Sequence, residues 1–332
     1  MININKLPIR ILPSSSRTLV RPFVPGSESQ VEHILFRIFS TPKSDRERIV
    51  ENLHKRLEMP HDMSKRIFLR HFENMKPRIP DDIELNEIDK QFIGAYFTQQ
   101  YALESTALFN PSIVPHPVQD KEGITRFIFS LRAIGEGHIS SITFMEGEID
   151  KDFNITVKDN SPVIYEPERK DHIYNKETVI KKAIDLELFS KINEPLFGLL
   201  DDKFTFDDLN NAASRLINSN IDNNREELIN SIDNIKKLAL SNFTLRFDTD
   251  DISERAIYPA SPSQSNGLED ARFVRFTDDD GEITYYATFT AYDGKKIMPE
   301  MLETVDFKEF RVSTLSGSGA KNKGMALFPR KV

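Results

Sequence analysis

Glu269 and Asp270, with Arg272 two residues further on, combine residue types and spacing that could do chemistry. A carboxyl beside a cation at a strand entrance can act as a general acid, provided its surroundings keep its proton available near neutral pH. On an extended backbone adjacent side chains point to opposite faces, so Glu269 and Asp270 are expected to diverge. Arg272 would share the face of Asp270 and hold it ionised or fix its orientation. The competing reading is a surface turn in which Arg272 simply neutralises its neighbour.

Other positions could carry parts of a site. Arg132 ends the apolar run Phe127–Leu131, where a guanidinium must reach a cleft or a carboxylate, because it is almost never buried unpaired. Its planar fork suits sugar hydroxyls or phosphate, and an internal salt bridge is the alternative. His138 follows Gly135-Glu136-Gly137 and either meets an anion or hydroxyl or is simply solvated. The stretch Gly317-Ser-Gly-Ala-Lys321-Asn-Lys323-Gly324 is basic and Gly-rich, so its amides and Lys323 could hold a small anion, or it is a mobile loop. It lacks the P-loop pattern, and no βαβ unit surrounds it. No His pair has metal-ligand spacing, so neither a zinc site nor a cofactor is expected.

The elements that must position these residues follow from composition and periodicity. The chain has 332 residues and a net charge of -8, a balance that argues against general nucleic-acid binding. It has no cysteine and no tryptophan but 24 phenylalanines, so aromatic stacking would fall to Phe or Tyr. No apolar run approaches a membrane span and the N-terminus lacks signal-peptide character, so a cytoplasmic protein without a membrane partner is expected.

Residues 1–26 read as an extended arm with a short strand. Residues 28–109 read as helical: Val31, Ile34, Leu35 and Ile38 recur at helical spacing, Ser44 with Glu47 suggests a capped start, and Glu87 to Tyr101 continues the pattern. Strands are expected at Phe127–Ile134, Ile139–Phe144 and Asn154–Val157. Residues 176–240 return to helix, with Asn210-Asn211, Asn218 and Asp222–Asn224 as caps and turns. Two Phe/Tyr/Val/Thr-rich runs flank Asp278–Gly281 as a β-hairpin, and strands dominate from Phe243 onward. The expectation is a domain at 1–109 and a β-rich body at 110–332, interrupted by a helical insert at about 170–245. No strict repeat of fixed period is evident.

The β-rich segments, taken together, resemble glycoside hydrolase family 130, the β-mannoside phosphorylases and related mannosidases. The matching pieces keep their order: Asn110-Pro-Ser-Ile-Val, Leu131-Arg132-Ala133, Ser140-Ser-Ile-Thr-Phe144, Gly267-Leu-Glu-Asp-Ala-Arg272, Tyr286-Ala-Thr-Phe-Thr-Ala-Tyr-Asp-Gly294, Glu303-Thr-Val-Asp-Phe307 and Asn322-Lys-Gly-Met-Ala-Leu-Phe-Pro329. The resemblance implies a five-bladed β-propeller with a central active site, and hence a mainly β fold with helical additions. It implies Asp270 as general acid, passing its proton through a hydroxyl of the bound mannose to the glycosidic oxygen. It assigns Asn110, Arg132, Glu269, Arg272, Tyr292 and Asp293 to the β-mannoside, and Lys323 with His138 to inorganic phosphate, the co-substrate. In the phosphorylases phosphate attacks the anomeric carbon with inversion and releases α-mannose 1-phosphate; in the hydrolytic members a carboxylate-activated water replaces it.

Three departures bear on this. The helical section 28–109 and the insert are absent from compact members. An Arg-Asn pair that some phosphorylases place after the Tyr-Tyr strand is here Phe289-Thr-Ala-Tyr-Asp-Gly. Residues 110–332 supply only about half of a propeller, so an incomplete one is expected, the missing blades belonging to a longer protein or another chain. Its unpaired edge strands leave self-association into a homo-oligomer open.

Overall fold

The structure, a computed structural model, describes residues 6–57, 59–219, 224–320 and 322–331. The chain begins with β1 (Ser14–Pro22), then α1 (Glu28–Ser40), α2 (Lys43–Arg56), α3 (His61–Met75), α4 (Glu87–Tyr96) and β2 (Thr98–Glu104). A meander follows: β3 (Ala107–Pro115), β4 (Ile124–Ile134), β5 (Ser140–Asp150) and β6 (Ile155–Val157). Short strands β7 (Val163–Tyr165), β8 (Glu168–Lys170) and β9 (Tyr174–Asn175) lead into α5 (Lys176–Asp185), α6 (Glu194–Gly198), β10 (Lys203–Phe204), α7 (Phe206–Ser219) and α8 (Arg225–Leu240). The chain then returns to strands: β11 (Phe243–Arg246), β12 (Ala256–Ile257), β13 (Gly267–Thr277), β14 (Ile283–Tyr292), β15 (Ile297–Thr304) and β16 (Glu309–Thr314). Helix accounts for 34% and strand for 32%, so the fold is mixed where a mainly β one was expected.

Two compact units partition the chain, one formed by Ser16–Ala102 with Pro162–Ile164 and the other by the rest. In the first, helices α1–α4 surround Val31, Ile38, Val50, Phe72, Met75, Phe92 and Phe97, and β1 lies between β2 and β7. Asn86 and Asp89 form a capping box at the start of α4, and Asp89 also takes the buried guanidinium of Arg46 at 2.7 Å. Gly94 of α4 lies against the backbone of Phe68 in α3, where any Cβ would collide with the Phe68 carbonyl. Two expectations are corrected here. Helix α2 starts at Lys43 behind Pro42, without a Ser44 side-chain cap. The helical reading of 87–109 ends at Tyr96: Thr98–Glu104 is held as a strand by pairing with β1, although Gln99, Gln100, Ala102, Leu103 and Glu104 are helix formers by propensity.

The second unit carries the large sheet, which runs as an open path β3-β4-β5-β13-β14-β15-β16-β11-β8. Its backbone is two antiparallel meanders. The first is β3-β4-β5, with β6 and β12 on the outer edge of β5; the second is β13-β14-β15-β16, extended by β11 and β8. One parallel bridge, Gly267 to Ser140, joins them. They pack through a Phe-rich core in which Phe144, Phe273, Tyr285, Phe307 and Phe310 touch with ring centroids 5.0–6.0 Å apart. Each such side chain is worth roughly 1.5–3 kcal/mol of burial. Strand β4 is apolar from Phe127 to Leu131 except at Ser130, because both its faces are covered there. Ile128 enters that core, while Phe127, Phe129 and Leu131 pack with Met145 in a second cluster.

Helices α5–α8 form the insert, around Leu196, Leu209, Leu228, Ile232 and Ile235. Asn210, Asn211 and Asn218, expected at caps and turns, lie inside α7. Asn224 is the N-cap of α8 without a side-chain bond, and Asp222 and Asn223 lie outside the described residues. Among the described residues no helix is long and apolar enough to cross a membrane.

Candidate functional site

Two matched irregularities build the site. In β3, register with β4 jumps between Phe109 and Ser112, so Asn110 and Pro111 together oppose Leu131. In β13, register with β14 jumps between Glu269 and Arg272, so Asp270 and Ala271 together oppose Phe289. Each is a β-bulge whose first residue has left-handed backbone, φ 48° at Asn110 and φ 57° at Asp270. Asn and Asp are the non-glycine residues that tolerate that region best, because their short polar chains can bond locally. Such positions store strain and re-aim side chains, and they concentrate at functional sites.

The bulges aim the two side chains at each other. Asn110 Nδ2 donates a short hydrogen bond to Asp270 Oδ1. Arg132, on β4 opposite Phe109, reaches the same oxygen with Nη1 at 3.5 Å and Glu269 Oε1 with Nη2 at 2.8 Å. The guanidinium thus bridges both carboxylates, which corrects the expectation that Glu269 and Asp270 diverge: alternation holds for a regular strand and fails across a bulge. Arg272 is corrected too. It turns away to the Pro111 carbonyl at 3.4 Å, and Arg132 takes its place as the partner of Asp270.

Strands β3 and β13 run side by side without a ladder, tied by side chains. The Phe273 amide donates to Ser112 Oγ at 2.8 Å, beside the Asn110–Asp270 bond. Lys323 Nζ lies 3.5 Å from Glu269 Oε2 on an otherwise exposed side chain. Its segment is anchored where Thr288 Oγ1 of β14 donates to the Met325 carbonyl at 2.6 Å. Lys321, in the same loop, lies outside the described residues.

The cluster is open to a ligand. The Arg132, Glu269 and Asp270 side chains keep 20%, 19% and 31% of their surface. Both donors to Asp270 approach Oδ1, and Oδ2 accepts no hydrogen bond from the described residues. A proton on this carboxyl therefore belongs on Oδ2, the side from which a bound hydroxyl could take it. Arg132 Nε is buried and has no hydrogen-bond partner among the described residues.

The remaining expected residues lie elsewhere. The Tyr292 hydroxyl donates to the Gly294 carbonyl, and Asp293 Oδ1 accepts from the Lys295 and Lys296 amides, so both shape the β14–β15 turn. His138 sits exposed on a short turn after β4 with φ 59°, and no hydrogen bond or ion pair joins it to the cluster. Among the described residues no group of three or more His, Asp or Glu side chains could hold a metal.

Sequence reasoning missed Ser112, whose hydroxyl ties β3 to β13, and Thr288, which fixes the Lys323 segment. The available signal was a faint parallel between Phe109-Asn110-Pro111-Ser112 and Glu269-Asp270-Ala271-Arg272, each opening a meander. No family model matches this chain, and no curated protein or solved structure matches it either.

Proposed function

We propose that this protein is a carbohydrate-active enzyme of β-mannosides, in which Asp270 is the general acid and the two meanders are neighbouring blades of a five-bladed β-propeller. The observation that carries this reading is the meeting of Asn110, Arg132, Glu269 and Asp270, drawn from two meanders of one sheet and separated by up to 160 positions, around paired bulges on the adjoining strands β3 and β13. In this reading Asn110 and Arg132 orient Asp270 through Oδ1, and Oδ2 gives its proton, through a mannose hydroxyl, to the departing glycosidic oxygen. Inorganic phosphate attacks the anomeric carbon from the opposite face as that bond breaks, and α-mannose 1-phosphate leaves. Arg132 remains the cation of the sugar subsite, and no cofactor takes part.

A second reading, inverting hydrolysis, draws support from Lys323, which pairs with Glu269. A cation neutralised there is a weaker phosphate anchor, and a water activated by Glu269 could be the nucleophile. Product analysis separates the two. A panel of β-mannosides incubated with the protein should yield mannose 1-phosphate only when phosphate is present. Free mannose independent of phosphate would select hydrolysis, and release of neither product across the panel would overturn both readings.

A further inference from the structure

A small cavity of about 130 Å³ lies between the start of the helical insert and the outer strands of the second meander, away from Asp270. Its walls include His172, Thr178, Lys182, Asn242, Arg311 and Ser313. Drug-sized and oligosaccharide ligands need several hundred Å³, so the volume admits only a compact group.

The charges around it are unbalanced. Lys182 Nζ donates to Asn242 Oδ1 at 2.6 Å, and among the described residues no carboxylate forms an ion pair with Lys182 or with Arg311. The ladder neighbours of Arg311 are Thr244 and Glu303, and Glu303 makes no ion pair with it. Arg169 is engaged with the Ala260 and Leu240 carbonyls and lies over the Phe243 ring, adding a third positive charge nearby. Lys170 is turned toward Glu309 at 3.9 Å. The buried carboxyl that Lys182 feels, Glu300, is committed to Ser263 and Gln264. Burial, and then the like charge of Arg311, pushes the Lys182 ammonium down to about 8, with Glu300 partly opposing. Burial and the charges of Arg311, Lys182 and Arg169 likewise hold the His172 imidazole below its usual range. Cations crowded at a partly buried cavity, with no carboxylate among the described residues ion-paired to Lys182 or Arg311, are stabilised by an anion there.

We propose that this cavity is a second ligand site, for a small tetrahedral oxyanion, either free phosphate or the phosphate group of a monoester, held by Lys182, Arg311 and His172 with the Thr178 and Ser313 hydroxyls beside it. The donor set matches the chemistry: a fork, an ammonium, an imidazole and the Ser313 hydroxyl can donate to oxygens, while the Thr178 hydroxyl beside them donates to Asn175 Oδ1 at 3.1 Å. The site is separate from the Asp270 cluster and does not depend on the activity proposed for it.

Calorimetric titration at pH 7 tests it, with sulfate, inorganic phosphate and glycerol phosphate each added at constant ionic strength against chloride. Saturable binding in the wild type and in Lys323→Ala is expected, weakened at least about tenfold in Arg311→Gln and in Lys182→Met, as expected for loss of a charge-assisted contact. Preference for inorganic phosphate identifies the free anion and preference for glycerol phosphate the ester. The His172 ring protons, followed by NMR, should titrate at higher pH once sulfate is bound. Arg311 is exposed on β16, so the Arg311→Gln variant should fold, which its native melting profile can verify. Unchanged affinity in that folded variant, or no saturable binding below about 10 mM, would overturn the proposal.

Discussion

Asp270 Oδ1 collects both the amide of Asn110 and the guanidinium of Arg132, and the left-handed backbone at both bulges makes that meeting geometrically available. The strain and the contact can be separated. Asn110→Gly keeps access to φ 48° while deleting the amide; Asn110→Ala also deletes the amide but keeps a Cβ, which the left-handed region disfavours by roughly 1–2 kcal/mol relative to glycine. Both variants should lose sugar binding to a similar degree, with Asn110→Ala melting below Asn110→Gly. Equal melting points would show that the bulge holds no strain at this residue. Much of this cluster was legible in the sequence, since a charged pair before an aromatic strand and an arginine ending an apolar one both demand partners. The choice of partner was not legible. It depends on where two residues oppose one across a ladder, and the opposed residues, Leu131 and Phe289, lie on neighbouring strands and not beside the redirected side chains in sequence.

At the scale of elements, periodicity placed the strands well where one face or both is buried by regular pairing, as in β4 and the β13–β14 hairpin. It failed where helix gives way to strand. The aromatic series Phe92, Tyr96 and Tyr101 was read as continuing the helix, yet Tyr101 falls on the face opposite Phe92, Thr98 begins β2, and the pairing of β2 with β1 decided against the helix. Close helix contact was equally invisible in sequence. Gly94 reads as an unremarkable small residue, but it is where α4 meets the backbone of Phe68. Gly94→Ala should therefore destabilise the first unit by about 1–3 kcal/mol through overpacking, lowering its melting point by several degrees. Gly198→Ala in α6, where a Cβ meets nothing within 4 Å, should be neutral or mildly stabilising. Comparable losses in the two variants would contradict the close-contact explanation.

Across the whole molecule, two buried titrating groups give the two units opposite pH responses. In the first unit the Thr98 hydroxyl donates to the Gly94 carbonyl, so His71 must donate from Nδ1 to Thr98, and its buried Nε2 has no partner among the described residues. Burial, with the charge of Arg70 added, holds this imidazole down at about 4. The unfolded chain binds the proton first, so this contribution is present above pH 6.5 and lost as pH falls toward 4. In the second unit burial pushes the Glu300 carboxyl up to about 7, against the hydrogen bonds of Ser263 and Gln264 and the charge of Lys182. The folded state then holds the proton longer than the unfolded one, so stability falls as pH rises from 4.5 to about 7. His71→Asn, which keeps a donor to Thr98, should gain on the wild type as pH drops from 6.5 to 4. Glu300→Gln should gain on it as pH rises from 4.5 to 7. Chemical denaturation across pH reads both, and parallel curves for variant and wild type would remove the assigned cause.

The central claim is that Asp270 delivers the proton to the leaving oxygen, and leaving-group dependence tests it directly. A β-mannoside whose leaving group is a sugar alcohol needs protonation, whereas a dinitrophenyl β-mannoside departs unaided. Asp270→Asn should cut turnover of the first by at least about 100-fold, the low end for general-acid catalysis, and slow the second far less, with mannose affinity nearly unchanged. Equal losses on both substrates, or an unimpaired variant, would contradict the assignment.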